Sequence, residues 1–177
     1  GLVTDSAWAD INNDDLIDLV VVGDWMPITV VLNKGAAKFE IVNQSMNMTD
    51  TEGMWNTVAI EDIDGDGLLD IIAGNAGTNF KWQASVEKPV FLYLDDFDEN
   101  EQLDPIIFYN YFGDYVPFSS KNKLSVQLPY LKKKFNSYKK FSGVRNIQDL
   151  TDRNENDILE IKKIVETRSM VYLQKEN

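Results

Sequence analysis

Asp62-Ile63-Asp64-Gly65-Asp66-Gly67-Leu68-Leu69-Asp70 is the stretch on which the fold turns. Carboxylates occupy its positions 1, 3, 5 and 9, and glycine occupies positions 4 and 6, where a sharp turn calls for a positive φ. Like charges in so short a loop repel one another, and a bound divalent cation relieves the repulsion. Calcium takes roughly six to eight oxygen ligands, which short side chains at alternate positions of a tight loop can supply. Asp62, Asp64, Asp66 and Asp70 are therefore candidate ligands, joined by the backbone carbonyl of Leu68 at position 7. Magnesium fits less well, because it prefers a smaller octahedral site and keeps its water.

The pattern recurs on both sides without gaps. Residues 10–18 offer Asp10, Asn12, Asp14, the carbonyl of Leu16, and Asp18. Residues 96–104 offer Asp96, Asp98, Asn100, the carbonyl of Gln102, and Asp104. Positions 2 and 8 are apolar in all three copies. Runs rich in β-branched or aromatic residues precede the loops, as in Thr57-Val58-Ala59-Ile60 and Val90-Phe91-Leu92-Tyr93-Leu94, and others follow, as in Leu19-Val20-Val21-Val22 and Ile106-Ile107-Phe108-Tyr109. The loops thus join strands. An EF-hand would instead need flanking helices and a glutamate at position 12, where this chain has Val21, Ala73 and Ile107. At position 6 the outer loops carry Asp15 and Glu101 in place of glycine, and Asp enters the left-handed region more readily than Glu. Affinity is expected to fall from loop two to loop one to loop three.

Composition supports a cation partner. Residues 1–120 hold 22 acidic against 4 basic side chains, which argues against nucleic acid there. With no cysteine and no histidine, thiol and imidazole catalysis, disulfides and the usual zinc, copper and haem ligands are all excluded, so any metal is held by oxygen. No apolar run is long enough for a transmembrane helix. Residues 121–145 reverse the charge, with 8 basic side chains and no acidic one. Within them Leu124, Leu128, Leu131, Phe135 and Tyr138 recur at helical spacing, and Pro129 suits the first turn of a second helix. The basic residues read as a solvated helix face, with an anionic partner as the sharper alternative.

The stretches 9–23 and 59–75 resemble FG-GAP/VCBS repeats, the calcium-binding blades of integrin-α-type β-propellers. Later segments, Gly74-Asn75-Ala76-Gly77-Thr78-Asn79, Asp96-Phe97-Asp98-Glu99-Asn100 and Leu128-Pro129-Tyr130-Leu131 among them, are similar to bacterial envelope proteins of this kind, especially from Bacteroidetes. The resemblance implies a mainly β fold, a partial β-propeller with a short helical insertion, located outside the cell or in its envelope, at the surface or in the periplasm. On this reading residues 1–118 form propeller blades with three calcium loops, 119–150 the helical insertion, and 151–177 the start of a further blade. The third loop is expected between later strands of the second blade. Gly1-Leu2-Val3 leads almost at once into a repeat, as in a segment of a larger protein, and a partial propeller leaves blade edges open to oligomerisation.

Two functional classes follow. The first is a calcium-stabilised, non-catalytic module that binds an extracellular protein or glycan. The second is a carbohydrate-active enzyme or its accessory domain, for which Glu61 and Asp114 would be the acid–base pair. Trp8 and Trp55 are expected in the core, whereas Trp25 and Trp82, in loops, could join Tyr109, Tyr111 and Tyr115 in a sugar-stacking face.

Overall fold

The computed structural model describes residues 1–175. The chain is mainly β, with antiparallel sheets and a few short helices. It forms two compact units: Gly1–Lys81 together with the C-terminal segment from Ile164, and Trp82–Lys163.

The first unit begins with a meander of β1 (Leu2–Ala9), β2 (Asp18–Met26), β3 (Thr29–Asn33) and β4 (Phe39–Ile41), each antiparallel to the next. The valines of β2 explain its central place: Val20 and Val22 are fully buried and pack with Ile28, Val30 and Trp55. Gly23 allows β1 to close on β2, because a Cβ there would lie 2.1 Å from the carbonyl oxygen of Leu2. The chain then forms β5 (Gly53–Glu61) and β6 (Asp70–Asn75), and β11 (Met170–Tyr172) adds to β6. A short pairing of Asp24 with Met54 and Met26 with Gly53 joins β2 to β5.

The second unit is inserted between β6 and β11. It holds a sheet of order β10-β7-β8-β9, made of β7 (Val90–Asp95), β8 (Asp104–Tyr111), β9 (Asp114–Pro117) and β10 (Glu160–Ile164). Four short helices follow β9: α1 (Lys121–Gln127), α2 (Leu131–Lys134), α3 (Tyr138–Phe141) and α4 (Ile147–Thr151). Leu124, Leu128, Leu131 and Phe135 are buried against Tyr93, Phe97, Ile106 and Phe108, so the helical stripe covers the apolar face of β7 and β8. Tyr138 leaves the stripe and is exposed, under the Lys121 ammonium at 5.5 Å. Pro129 lies ahead of α2, whose N-cap is Tyr130.

Several placements differ from those expected of the sequence. Loop three belongs to the sheet of the second unit instead of a blade of the first, because the aromatic runs on either side of it are covered by the helical leucines. Of the segment 151–177, β10 joins β7, whereas β11 completes the β5–β6 sheet; residues 176 and 177 lie outside the described residues. Trp8 is 61% exposed, since it faces away from the β2 core, while Trp82 is buried edge-to-face on Phe118 at 5.3 Å. Trp55 is in the core, with its indole N–H donating to the Thr51 carbonyl.

Candidate metal centres

Each acidic loop closes an antiparallel hairpin, and all three close it at the same register. Ala9 pairs with Asp18, Glu61 with Asp70, and Asp95 with Asp104, so position 9 is the first residue of the returning strand. That placement buries its carboxylate: Asp18 and Asp70 are 0% exposed and Asp104 7%.

Three hydrogen bonds repeat in every loop. The position 2 N–H donates to Oδ2 of position 9, from Ile11 to Asp18 at 3.0 Å, Ile63 to Asp70 at 3.0 Å and Phe97 to Asp104 at 3.2 Å. The position 6 N–H donates to Oδ2 of position 1, from Asp15 to Asp10, Gly67 to Asp62 and Glu101 to Asp96, at 2.7–2.9 Å. The position 7 N–H of Leu16, Leu68 and Gln102 donates to Oδ1 of Asp14, Asp66 and Asn100, at 2.8–2.9 Å. These bonds hold the acids inward and fix which oxygens stay available.

The backbone needed for this arrangement is left-handed twice per loop. Asn13 and Asp15 have φ of 56° and 64°, Gly65 and Gly67 79° and 86°, and Glu99 and Glu101 60° and 67°. Only loop two meets the requirement with glycine, and a Cβ at Gly65 or Gly67 would touch nothing within 4 Å. The cost in the other loops is therefore torsional, about 1–2 kcal/mol for a residue with a Cβ, and lower for Asn and Asp.

Carboxylates converge in loops two and three. Asp62, Asp64 and Asp70 bring oxygens within 4.8 Å of one another, and so do Asp96, Asp98 and Asp104. Each pair of charges at such separations repels by roughly 1–4 kcal/mol between bulk water and a protein surface. Loop one forms no such group, because position 3 is Asn12, whose amide donates to Asp14 Oδ2 at 2.9 Å. At position 5, Asp66 lies outside the loop two triad and accepts from the Leu68 N–H, as Asn100 accepts from the Gln102 N–H in loop three.

The outer oxygen of position 9 marks where each loop is anchored. Asp18 Oδ1 accepts from Asn33 N–H at the end of β3, and Asp70 Oδ1 accepts from Gln174 N–H just beyond β11. Asp104 Oδ1 accepts from the Gln127 side-chain amide of α1 at 3.2 Å. Arg153 adds to loop three, donating to the Asp96 carbonyl and standing 3.6 Å from Glu99. None of Gln174, Gln127 or Arg153 is marked by the repeat; they arrive from segments remote in sequence.

Electrostatics single out loop three. Burial, followed by the charges of Asp98 and Asp96, raises the Asp104 pKa against the bonds from Gln127 and Phe97. At Asp96 burial is again the largest influence and acts upward, but the N–H groups of Asn100, Glu101, Glu99 and Asp98 together outweigh it and the pKa is lowered. Asp98 Oδ1 is buried with no hydrogen-bond partner in the protein. An all-oxygen donor set holding clustered carboxylates and one unsatisfied buried oxygen fits a hard divalent cation. Asp62, Asp64 and Asp70 would hold it in loop two, and Asp96, Asp98 and Asp104 in loop three.

The other candidates fall on different elements. Glu61 ends β5 in the first unit, while Asp114 opens β9 in the second and pairs with Arg145 at 3.3 Å. Trp82 and Tyr109 are buried, whereas Tyr111 is exposed and stacks edge-on with Phe112, which is 93% exposed at the β8–β9 turn. Phe112 carries no repeat signature; it and Gly113 form the turn with φ of 50° and 97°. Among the described residues no helix is long and apolar enough to cross a membrane.

Residues 10–73, which include loops one and two, match the family model of the FG-GAP-like repeat. No curated protein and no solved structure matches the chain.

Proposed function

We propose that this chain is a calcium-binding β-propeller module of the cell exterior that binds a protein or glycan partner and performs no chemistry on it. The observation that carries the reading is the repeated hairpin loop, pinned by the same three hydrogen bonds each time, with carboxylate triads in loops two and three. The FG-GAP-like match over residues 10–73 supports the propeller and the exterior location, since repeats of this kind build such blades. In this account the metal contributes folding free energy by offsetting carboxylate repulsion. Left-handed strain alone ranks the loops two, one, three; triad geometry ranks them two, three, one, and we adopt the latter order. The exposed Tyr111 and Phe112 favour a partner-binding role, and the three-residue edge strand β4, with Phe39 and Ile41 exposed, suits pairing with a further blade or a second chain.

The test is a thermal melt of chelator-stripped protein titrated with calcium, with magnesium as control. Free calcium at 100 times the dissociation constant adds roughly 2.7 kcal/mol per site. A calcium-specific rise in Tm is expected, and a melt that ignores both ions would refute the reading.

A further inference from the structure

The turn between β8 and β9 carries an unusual residue for its conformation. Tyr111 pairs with Asp114, so Phe112 and Gly113 are the two central residues, both at positive φ. Two-residue hairpin turns of that kind favour asparagine before glycine, and a bulky aromatic residue in the left-handed region is an outlier. Phe112 gains little within the chain for this strain. It is 93% exposed, its ring meeting that of Tyr111 edge-on at 4.7 Å. Backbone strain held at an exposed apolar tip points to a role outside the fold. Tyr111, itself exposed, packs on buried Tyr109, and Tyr109 on exposed Phe118, each at 6.1 Å, so the tip continues into an aromatic strip.

Cations flank this tip. Asp114, the acid of the turn, is paired with Arg145 at 3.3 Å, and the Arg145 guanidinium also donates to the carbonyl of Ser142, the C-cap of α3. These contacts bring the end of α3 beside the turn. Lys139 and Lys140 precede Ser142 by less than one helical turn, about 5.4 Å of rise, and both are exposed with no ion pair. Asp149 accepts from the Arg145 N–H. Loop three, with its clustered carboxylates, closes the opposite end of β8, roughly 24 Å away along that strand. The separation exceeds the Debye length of about 8 Å at physiological ionic strength, so those acids are screened from the tip.

We propose that the β8–β9 tip docks on an anionic lipid bilayer, with Phe112 and Tyr111 entering the interface and Lys139 and Lys140 meeting phosphate headgroups. An apolar tip beside cations complements such a surface, which is apolar below and negative above. Lysine stems are long enough to keep their ammonium groups among the headgroups while the rings sit deeper. Arg145 neutralises Asp114, the acid that would otherwise oppose entry. The docking goes beyond the calcium reading and does not depend on it.

Vesicle sedimentation of the full chain in calcium buffer tests this, comparing phosphatidylcholine vesicles with vesicles that also contain phosphatidylglycerol. The native chain should sediment with the anionic vesicles and be released by high salt. Phe112→Asn supplies the residue that the turn prefers and removes the ring, so it should keep or raise Tm while weakening vesicle partition at least about tenfold. Lys139→Gln with Lys140→Gln should weaken partition roughly fivefold per lysine and leave Tm in place. A native chain that ignores both kinds of vesicle would overturn the proposal and leave the tip to a protein or glycan partner. Binding to anionic vesicles that survives Phe112→Asn unchanged would overturn it as well, because calcium bridging or general charge would then account for the binding. If Phe112→Asn lowers Tm together with partition, the ring serves the fold and the docking assignment falls.

Discussion

Loop two, between β5 and β6, and loop three, between β7 and β8, run through the same left-handed positions and the same three pins, yet place different side chains there. Loop two uses Gly65 and Gly67 where loop three uses Glu99 and Glu101. In return loop three is better enclosed: Phe97 at its second position is 6% exposed, against 49% for Ile63, and helical residues reach its acids. A relaxed backbone with exposed carboxylates and a strained backbone with enclosed ones are two routes to one arrangement of acids. The first makes the metal-free loop easy to form. The second gathers carboxylate repulsion that a cation would relieve.

Removing the anchor acid gives the largest effect. Asp70→Ala strands the N–H groups of Ile63 and Gln174, both fixed in the backbone, and should cost about 3 kcal/mol in urea unfolding of the chelated protein. Asp104→Ala should cost about 2 kcal/mol, because the freed Gln127 amide can rotate toward water. Equal losses would remove the distinction between a backbone and a side-chain anchor. The left-handed positions come next and carry opposite signs. Gly67→Ala should destabilise by about 1 kcal/mol and Glu101→Gly should stabilise by a similar amount, measured as the shift in urea midpoint. A destabilising Glu101→Gly would mean that its side chain contributes more than the strain costs.

Acid titration separates the hairpins at a smaller scale. Asp5 of β1 accepts from Val58 N–H, Thr57 Oγ1 and Ser6 N–H, which together hold its carboxyl below the ordinary aspartate value, and the first two tie β1 to the strand entering loop two. A carboxylate whose pKa is depressed by folding stabilises the native state above its unfolded pKa, and the contribution is lost as pH falls through the folded value. Asp5→Asn should therefore lower Tm at pH 7, with the deficit closing as the pH drops below that of an ordinary aspartate. A deficit independent of pH would contradict the carboxylate's role. The smallest effect is expected at Arg153, whose pairing with Glu99 is largely exposed: Arg153→Gln should tighten calcium at loop three by at most about fivefold, since a resident positive charge leaves its neighbourhood.

Much of this was legible in the residues themselves. Alternating aspartates between strand-like runs give the hairpins and their oxygen donors, and leucines at helical spacing give the layer that covers β7 and β8. Glycine at positions 65 and 67 announces the left-handed turn, whereas Glu99 and Glu101 conceal it, because a side chain that tolerates a conformation does not advertise it. What stayed hidden is long-range. Gln174 reaches Asp70 from 104 residues away and Gln127 reaches Asp104 from 23, and no local pattern records either contact. Trp8 and Trp82 exchange their expected roles for the same reason, since aromatic character alone does not say which face another element will cover.

The most direct test of the account is a calcium-binding isotherm of the chelator-stripped chain, repeated for Asp64→Asn and Asp98→Asn. Two tight sites are predicted, with each substitution removing one and leaving the other. An isotherm without calcium-specific binding, or two substitutions that leave it unchanged, would contradict the claim that these loops hold the cation.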